Sequence, residues 1–214
     1  KSTGLPERLL PKVMTETRNS LACDSSFVKV PSILRTASLS ELILSPYMLP
    51  LSKHLYVVAE FELAVRVGRT LAKKATPWTR EEVRAEVTEA MAAFELIEDR
   101  GADYSRLAVN PLIMDAGWNG GSLLAKPNKD WAKLDLGNLH GSVSFDGRVV
   151  REGRSGGVRG HCYNALAWLA NKLGDHGKRL RKGMIVSTGS MVACQFVPPG
   201  STATGRIEGL GEVT

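Results

Sequence analysis

Two glutamates two residues apart, Glu60 and Glu62, lie in the stretch Val57-Val58-Ala59-Glu60-Phe61-Glu62-Leu63-Ala64-Val65-Arg66-Val67, which reads as a β-strand. Successive side chains alternate across a strand, so Ala59, Phe61, Leu63, Val65 and Val67 share an apolar face. Glu60, Glu62, Ala64 and Arg66 share the other. Two carboxylates held side by side repel each other, and something positive usually compensates: a metal ion, a basic residue or water. A hard divalent cation such as Mg²⁺ or Mn²⁺ takes oxygen ligands of this kind. An amphipathic strand with a solvated acidic face would show the same pattern, and the strand alone does not decide between the two.

The elements around this strand can be sketched from spacing and turn chemistry. Pro6, Pro11, Pro31, Pro46 and Pro50 break residues 1–55 into short strands and loops. Thr79-Arg80-Glu81-Glu82 has the form of a capping box, and Val83, Val87, Ala90 and Met91 continue it at helical spacing. Phe94-Glu95-Leu96-Ile97 is expected to leave that helix as a strand. Residues 110–122, rich in Gly and Asn, read as a loop with short extended ends. Leu139–Val150 reads as a hairpin turning at Asp146-Gly147. Asn164–Leu173 reads as a helix with the apolar stripe Leu166, Leu169, Ala170 and Leu173, ended by Gly174 or Gly177. Met184–Ser187 is a short strand running into Thr188-Gly189-Ser190, and Pro199-Gly200 turns the chain into a final strand pair. No alternation of strand and helix suggests a doubly wound parallel sheet. The expected fold class is α+β and strand-rich, a mixed β-roll or sandwich with helices packed outside.

With 214 residues, 43% hydrophobic and 23% charged, the chain suits one globular domain spanning 1–214. It begins at Lys1 rather than Met, which is consistent with residues missing upstream. No stretch spans a bilayer and no signal peptide is seen, so a cytoplasmic protein without a membrane partner is expected. Cys23, Cys162 and Cys194 are odd in number and form no CxxC pair, which fits reduced thiols. The net charge is +6, and the run Lys178-Arg179-Leu180-Arg181-Lys182 reads as a solvated helix end. No nucleic-acid-binding module accompanies it. A basic surface also suits a small anionic substrate by steering.

Three segments taken together, Glu60-Phe61-Glu62, Phe94-Glu95-Leu96-Ile97-Glu98-Asp99-Arg100, and Asn164–Leu173 leading to Thr188-Gly189-Ser190, resemble the fumarylacetoacetate hydrolase superfamily. Within it the chain is most similar to the 2-hydroxypenta-2,4-dienoate (2-keto-4-pentenoate) hydratase and 4-oxalocrotonate decarboxylase branch. The likeness runs from about residue 55 to the C-terminus and is poor over residues 1–54. It implies a Mg²⁺ or Mn²⁺ site on Glu60, Glu62 and Glu95. The metal would chelate a carboxylate oxygen and the neighbouring 2-oxo or enol oxygen of the substrate, neutralising the enolate formed as a 2-hydroxydienoate tautomerises. Thr188, Gly189 and Ser190 match a T-G-S placed against the substrate carboxylate.

Other parts of the likeness are thinner. A family lysine in G-[WY]-K-[IV]-G falls on Lys12, where Leu10-Pro11-Lys12-Val13-Met14 keeps only the Lys-Val core. A general acid/base lysine and an exposed surface lysine both fit that position. Leu112–Gly121 resembles the family's L-I-A-D-N-A-W-N-A-G. There Asp115, Trp118 and Asn119 match, implying a catalytic Asp115 and a substrate-binding Asn119. Ala116 replaces an Asn, and Cys162-Tyr163 replaces a Pro-Leu. His54, His140, His161 and His176 show no ligand spacing, and His161 reads as a structural histidine. No nucleophile elbow and no phosphate-binding glycine loop is present.

The resemblance therefore implies a divalent-metal-dependent lyase, a hydratase of a short 2-hydroxy-2,4-dienoate or 2-oxo acid. A 4-oxalocrotonate-type decarboxylase and an acylpyruvate C–C hydrolase are the alternatives, as is an oligomeric member without turnover. The hydrolase wants a positioned base, often a His, and residues 1–54 supply none but His54 at their margin. A homo-oligomer is expected.

Overall fold

The computed structural model describes residues 42–50, 57–98, 101–106, 108–157 and 159–214. Its spine is an antiparallel pair, β2 (Val57–Val67) and β3 (Val87–Glu98), in one register from Val57 opposite Glu98 to Arg66 opposite Glu89, with a shift before Val67 meets Val87. Beyond β3 lies β4 (Asn119–Leu124), and beyond that β1 (Leu42–Leu44), which runs parallel to β4. On the other side β2 pairs with β7 (Ile185–Ser190) and β8 (Gln195–Phe196). A second, antiparallel sheet has the order β10-β9-β5-β6, with β5 at His140–Phe145, β6 at Arg148–Arg154, β9 at Ala203–Ile207 and β10 at Gly211–Val213. The strand-rich α+β architecture is therefore as expected.

The sheets meet where Phe61 and Phe94, with ring centroids 5.5 Å apart, press on the backbone of β5 and β9. A Cβ at Gly205 would run into both rings, and one at Gly141 would crowd Phe61 and Met191. These glycines let the sheets approach to aromatic contact distance. Among the described residues three α-helices pack with the sheets: α1 (Arg80–Ala85), α2 (Val109–Met114) and α3 (Cys162–Asp175). Leu166, Leu169, Ala170 and Leu173 of α3 are all buried, as its stripe requires. After α3, Gly177 takes φ 68° and the Lys178 N–H bonds back to Leu173 O, a Schellman ending. The basic run follows that ending rather than forming it, and Leu180 within it is buried and bridged to Leu71. The hairpin turn at Asp146 and Gly147 has φ 50° and 80°, the paired left-handed geometry that a two-residue turn needs.

Two expectations are corrected. Thr79 does close a capping box with Glu82, but α1 stops at Ala85 and Val87–Glu98 is strand. Ala90, Met91, Ala92, Ala93 and Phe94 are all buried, so β3 is covered on both faces. A strand covered on both faces shows a continuous apolar run, and such a run contains helical spacing by accident. Residues 110–122 are not a loop: they hold the end of α2, a 3₁₀ turn at Ala116–Trp118 and the start of β4. Pro111 in the first turn of α2 costs that helix nothing, since N–H groups there have no intrahelical partner. Cys162 is free and buried, whereas Cys194 is disulfide-bonded, against the expectation of reduced thiols. Among the described residues no helix is long and apolar enough to cross a membrane.

Candidate metal centre

The β2–β3 register sets Glu60 directly opposite Glu95, with Glu62 two residues along β2 on the same face. One carboxylate oxygen from each of the three lies within 4.8 Å of the others. Their surroundings are not a solvated face: Glu62 is 0% and Glu95 3% exposed, and Glu60 is half-buried. Burial pushes the Glu60 carboxyl up to about 7, and the charge of Glu95 adds to the rise. Glu62 is raised well above the ordinary carboxylate range, first by burial, then by Glu95 and Glu60. Two donors oppose that rise. The Gly189 N–H donates to Glu62 Oε2 at 2.9 Å, and the Ser187 hydroxyl hydrogen-bonds the same carboxylate.

Glu62 Oε1 is buried with no hydrogen-bond partner. An orphaned carboxylate oxygen in a low-dielectric site is costly, and the charges of Glu95 and Glu60 add to that cost. Three convergent oxygen ligands with one oxygen unspent fit a hard divalent cation.

Neighbouring backbone geometry explains how the ring around the acids is built. Gly117 and Trp118 both take left-handed φ, 65° and 60°, a sharp turn between α2 and β4. For a tryptophan that conformation is strained. The turn delivers Asn119 to the edge of β3, where its Nδ2 donates to Glu95 Oε1 at 2.6 Å. The resemblance puts Asn119 on the substrate; the structure puts it on a carboxylate of the cluster. Asp115 lies in the turn ahead of it, half-buried and outside the three-acid group. Lys12 lies outside the described residues, as do Cys23, His54 and the segment 1–41.

The T-G-S segment divides. Gly189 meets Glu62, but Thr188 is 1% exposed and its hydroxyl donates to Leu63 O at 2.7 Å. Ser190 donates to Val192 O at 2.7 Å. Both hydroxyls thus spend their protons on main chain, and the Thr188 bond to Leu63 O pins β7 against β2 beside the Gly189 N–H. The β2–β7 register shifts between Glu62 and Ala64, beside Ser187, and no sequence motif marks this residue. His161 is structural: its Nδ1 accepts from the Tyr163 N–H and caps α3, and burial lowers its pKa.

No family model matches the chain. It is similar to a 2-hydroxyhexa-2,4-dienoate hydratase of Comamonas testosteroni, 29% identical over 153 residues that make up 72% of this chain and 57% of the relative. It is also similar to a 4-oxalocrotonate decarboxylase of a Pseudomonas species, 26% identical over 164 residues, 77% of this chain and 62% of that one. Among solved structures, the 4-oxalocrotonate decarboxylase of Pseudomonas putida G7 complexed with magnesium and adipate superposes with a TM-score of 0.74 at 23% identity, covering 81% of this chain and 65% of that one. The chain is similar in sequence to these hydratases and decarboxylases and shares the fold of the solved decarboxylase. It spans about six-tenths of the length of the curated relatives it matches.

Proposed function

We propose that this chain is the catalytic domain of a divalent-metal-dependent hydratase acting on a short 2-hydroxy-2,4-dienoate. The observation that carries the reading is the buried trio Glu60, Glu62 and Glu95 with an unpartnered oxygen on Glu62. Glu60, Glu62 and Glu95 would hold Mg²⁺ or Mn²⁺, which supplies a Lewis acid for the carboxylate and 2-oxo or enol oxygen of a small anionic substrate. Asn119, Ser187 and the Gly189 N–H hold carboxylates of the trio in place. Rigid placement matters because charge developing on the substrate is stabilised best by groups that need not reorganise. Asp115, at the turn that presents Asn119, and Lys12 are assigned to proton transfer; Thr188 and Ser190 act on the substrate through the strand edge they fix.

The relatives named above support both a hydratase and a decarboxylase reading, and decarboxylation of a 4-oxalocrotonate-type 2-oxo acid is the second one. The test follows loss of dienoate absorbance with Mg²⁺ or Mn²⁺, with and without chelator. Metal-dependent loss with a hydroxy-oxo acid product supports hydration. Release of CO₂ from the oxo-dicarboxylate moves the protein to the second reading. No turnover of either substrate by the metal-loaded protein overturns the proposal. The reading also expects a symmetric homo-oligomer; sedimentation as a 23.2 kDa monomer at micromolar concentration would remove that part.

A further inference from the structure

We infer that the cavity between the end of α3 and the turn into β7 binds a small phosphomonoester with a partly apolar body. The site is separate from the acidic trio, and the inference does not rest on the metal reading.

The cavity measures about 560 Å³, with Lys178, Arg179, Arg181 and His176 around a floor that includes Leu173 and Met184. That volume is in the range that holds a small molecule. Two turns of the backbone build it. The Schellman ending of α3, with the Lys178 N–H on Leu173 O, brings Lys178 and Arg179 to one side. Leu180 then anchors the chain in the core through its paired bonds with Leu71. A tight turn follows, with the Met184 N–H on Arg181 O and Gly183 at φ 86°, and the Gly183 N–H bonds to Val67 O of β2. Arg181 therefore comes to the cavity on a second, separately fixed segment.

Charge pairing sets this cluster apart from other basic residues. Arg69, Lys73, Lys74, Lys133 and Arg206 each take a carboxylate, those of Glu86, Asp175, Glu82, Asp130 and Glu212. Asp175, at the end of α3, is thus engaged by Lys73 at 3.2 Å. Among the described residues no carboxylate lines the cavity, and the exposed side chains of Lys178, Arg179 and Arg181 have no hydrogen-bond or ion-pair partner. Like charges gathered without a counter-charge repel. The helix dipole offsets cations at the end of α3, but Arg181 belongs to a different turn, and the dipole gives no reason for it to share a cavity with the other two.

The chemistry of the lining selects the ligand. Guanidinium groups present planar forks that match phosphate oxygens, and lysine adds a point charge. A phosphomonoester carries about two negative charges at neutral pH on three acceptor oxygens, which suits three cations better than a single carboxylate does. Leu173 and Met184 add apolar surface, which suits a body attached to the phosphate.

The experiment is calorimetric titration of phenyl phosphate, inorganic phosphate and benzoate into metal-free protein at constant ionic strength. The proteins are wild type, Arg179→Gln, Arg181→Gln and, as an equal loss of charge elsewhere, Arg206→Gln, each also followed by thermal melting. Wild type is expected to bind phenyl phosphate saturably, and both inorganic phosphate and benzoate at least about 3-fold more weakly. Arg179→Gln and Arg181→Gln should each weaken phenyl phosphate by about 10-fold, and Arg206→Gln should leave it within about twofold. Lys178→Gln repeats the measurement if either cavity variant melts early. Absence of saturable binding to wild type, unchanged affinity in the cavity variants, or an equal loss in Arg206→Gln overturns the site. Benzoate bound as tightly as phenyl phosphate overturns the choice of phosphate, and inorganic phosphate bound as tightly overturns the apolar body. Each of these failures leaves the metal reading standing, since that is measured with Mg²⁺ or Mn²⁺.

Discussion

The two ends of the β2–β3 pair solve the same problem in opposite ways. Toward one end Arg66 stands opposite Glu89, and the two form an ion pair at 2.5 Å with side chains 31% and 17% exposed. Toward the other, Glu60 stands opposite Glu95, an acid against an acid, with Glu62 beside them. Arg66 is also tied to Gly183 O, so its end is closed by the chain's own groups. The acidic end is more buried, carries more like charge, and keeps an oxygen unsatisfied. The same pair of strands sets an arginine across from a glutamate at one end and three glutamates together at the other, and on the proposed reading a divalent cation would complete the second site.

The largest effect should come from removing Glu62. Glu62→Ala is expected to weaken Mn²⁺ binding by at least about 100-fold, roughly 2.7 kcal/mol, while circular dichroism remains that of the folded protein. The isosteric Glu62→Gln should do the same to metal binding and raise the melting temperature of the metal-free protein, since it replaces a buried group whose charged form is disfavoured by burial and by Glu95 and Glu60. Titration curves unchanged in both variants would break the contrast between the two ends.

A pH series sharpens it. Glu60 and Glu62 have folded-state pKa values raised above the ordinary 4.5, Glu60 to about 7. Between those values the folded metal-free protein binds more protons than the unfolded chain. Its stability therefore falls as pH rises from about 4.5 through about 7 and beyond, the slope following the proton difference. Saturating Mg²⁺ should flatten that slope, because the ion binds the carboxylates only when they are deprotonated and the folded protein then carries no excess protons over the unfolded chain. Thermal melts from pH 5 to pH 8, with chelator and with metal, measure both slopes. Parallel slopes would mean that the trio is not where the ion binds.

Much of this contrast is legible in the residues themselves. The alternation of Val57–Val67 places Glu60 and Glu62 on one face, and the family likeness adds Glu95. What alternation does not show is that both faces of β2 are covered, because β7, β3 and the second sheet arrive from distant parts of the chain. The same distance hides β3. Its apolar run imitates a helix until the pairing partner is known. Asn119 is visible as a polar residue in a glycine-rich stretch, but its target depends on the left-handed Gly117-Trp118 turn. Ser187 carries no mark in the sequence because its place beside Glu62 depends on the pairing of β2 with β7, not on a motif. Thr188 and Ser190 are recognisable as a motif, and motif membership says nothing of where their protons go.

The smallest expected effect belongs to the closed end. Arg66→Ala removes one partner of a part-exposed ion pair and a hydrogen bond to Gly183 O, and leaves Glu89 able to turn toward water. Pairs of this exposure contribute up to about 1 kcal/mol, and the loss should shrink further in high salt. Metal affinity should not move, because Arg66 lies four residues from Glu62 along β2 and bonds to none of the three acids. Combining Arg66→Ala with Glu62→Gln then gives the sharper measurement. If the two ends are independent, their effects on melting add within a few tenths of a kcal/mol. A coupling larger than that would show that charge at Arg66 reaches the acidic trio through the strand pair, and that the salt-bridged end is part of how the acidic end is held.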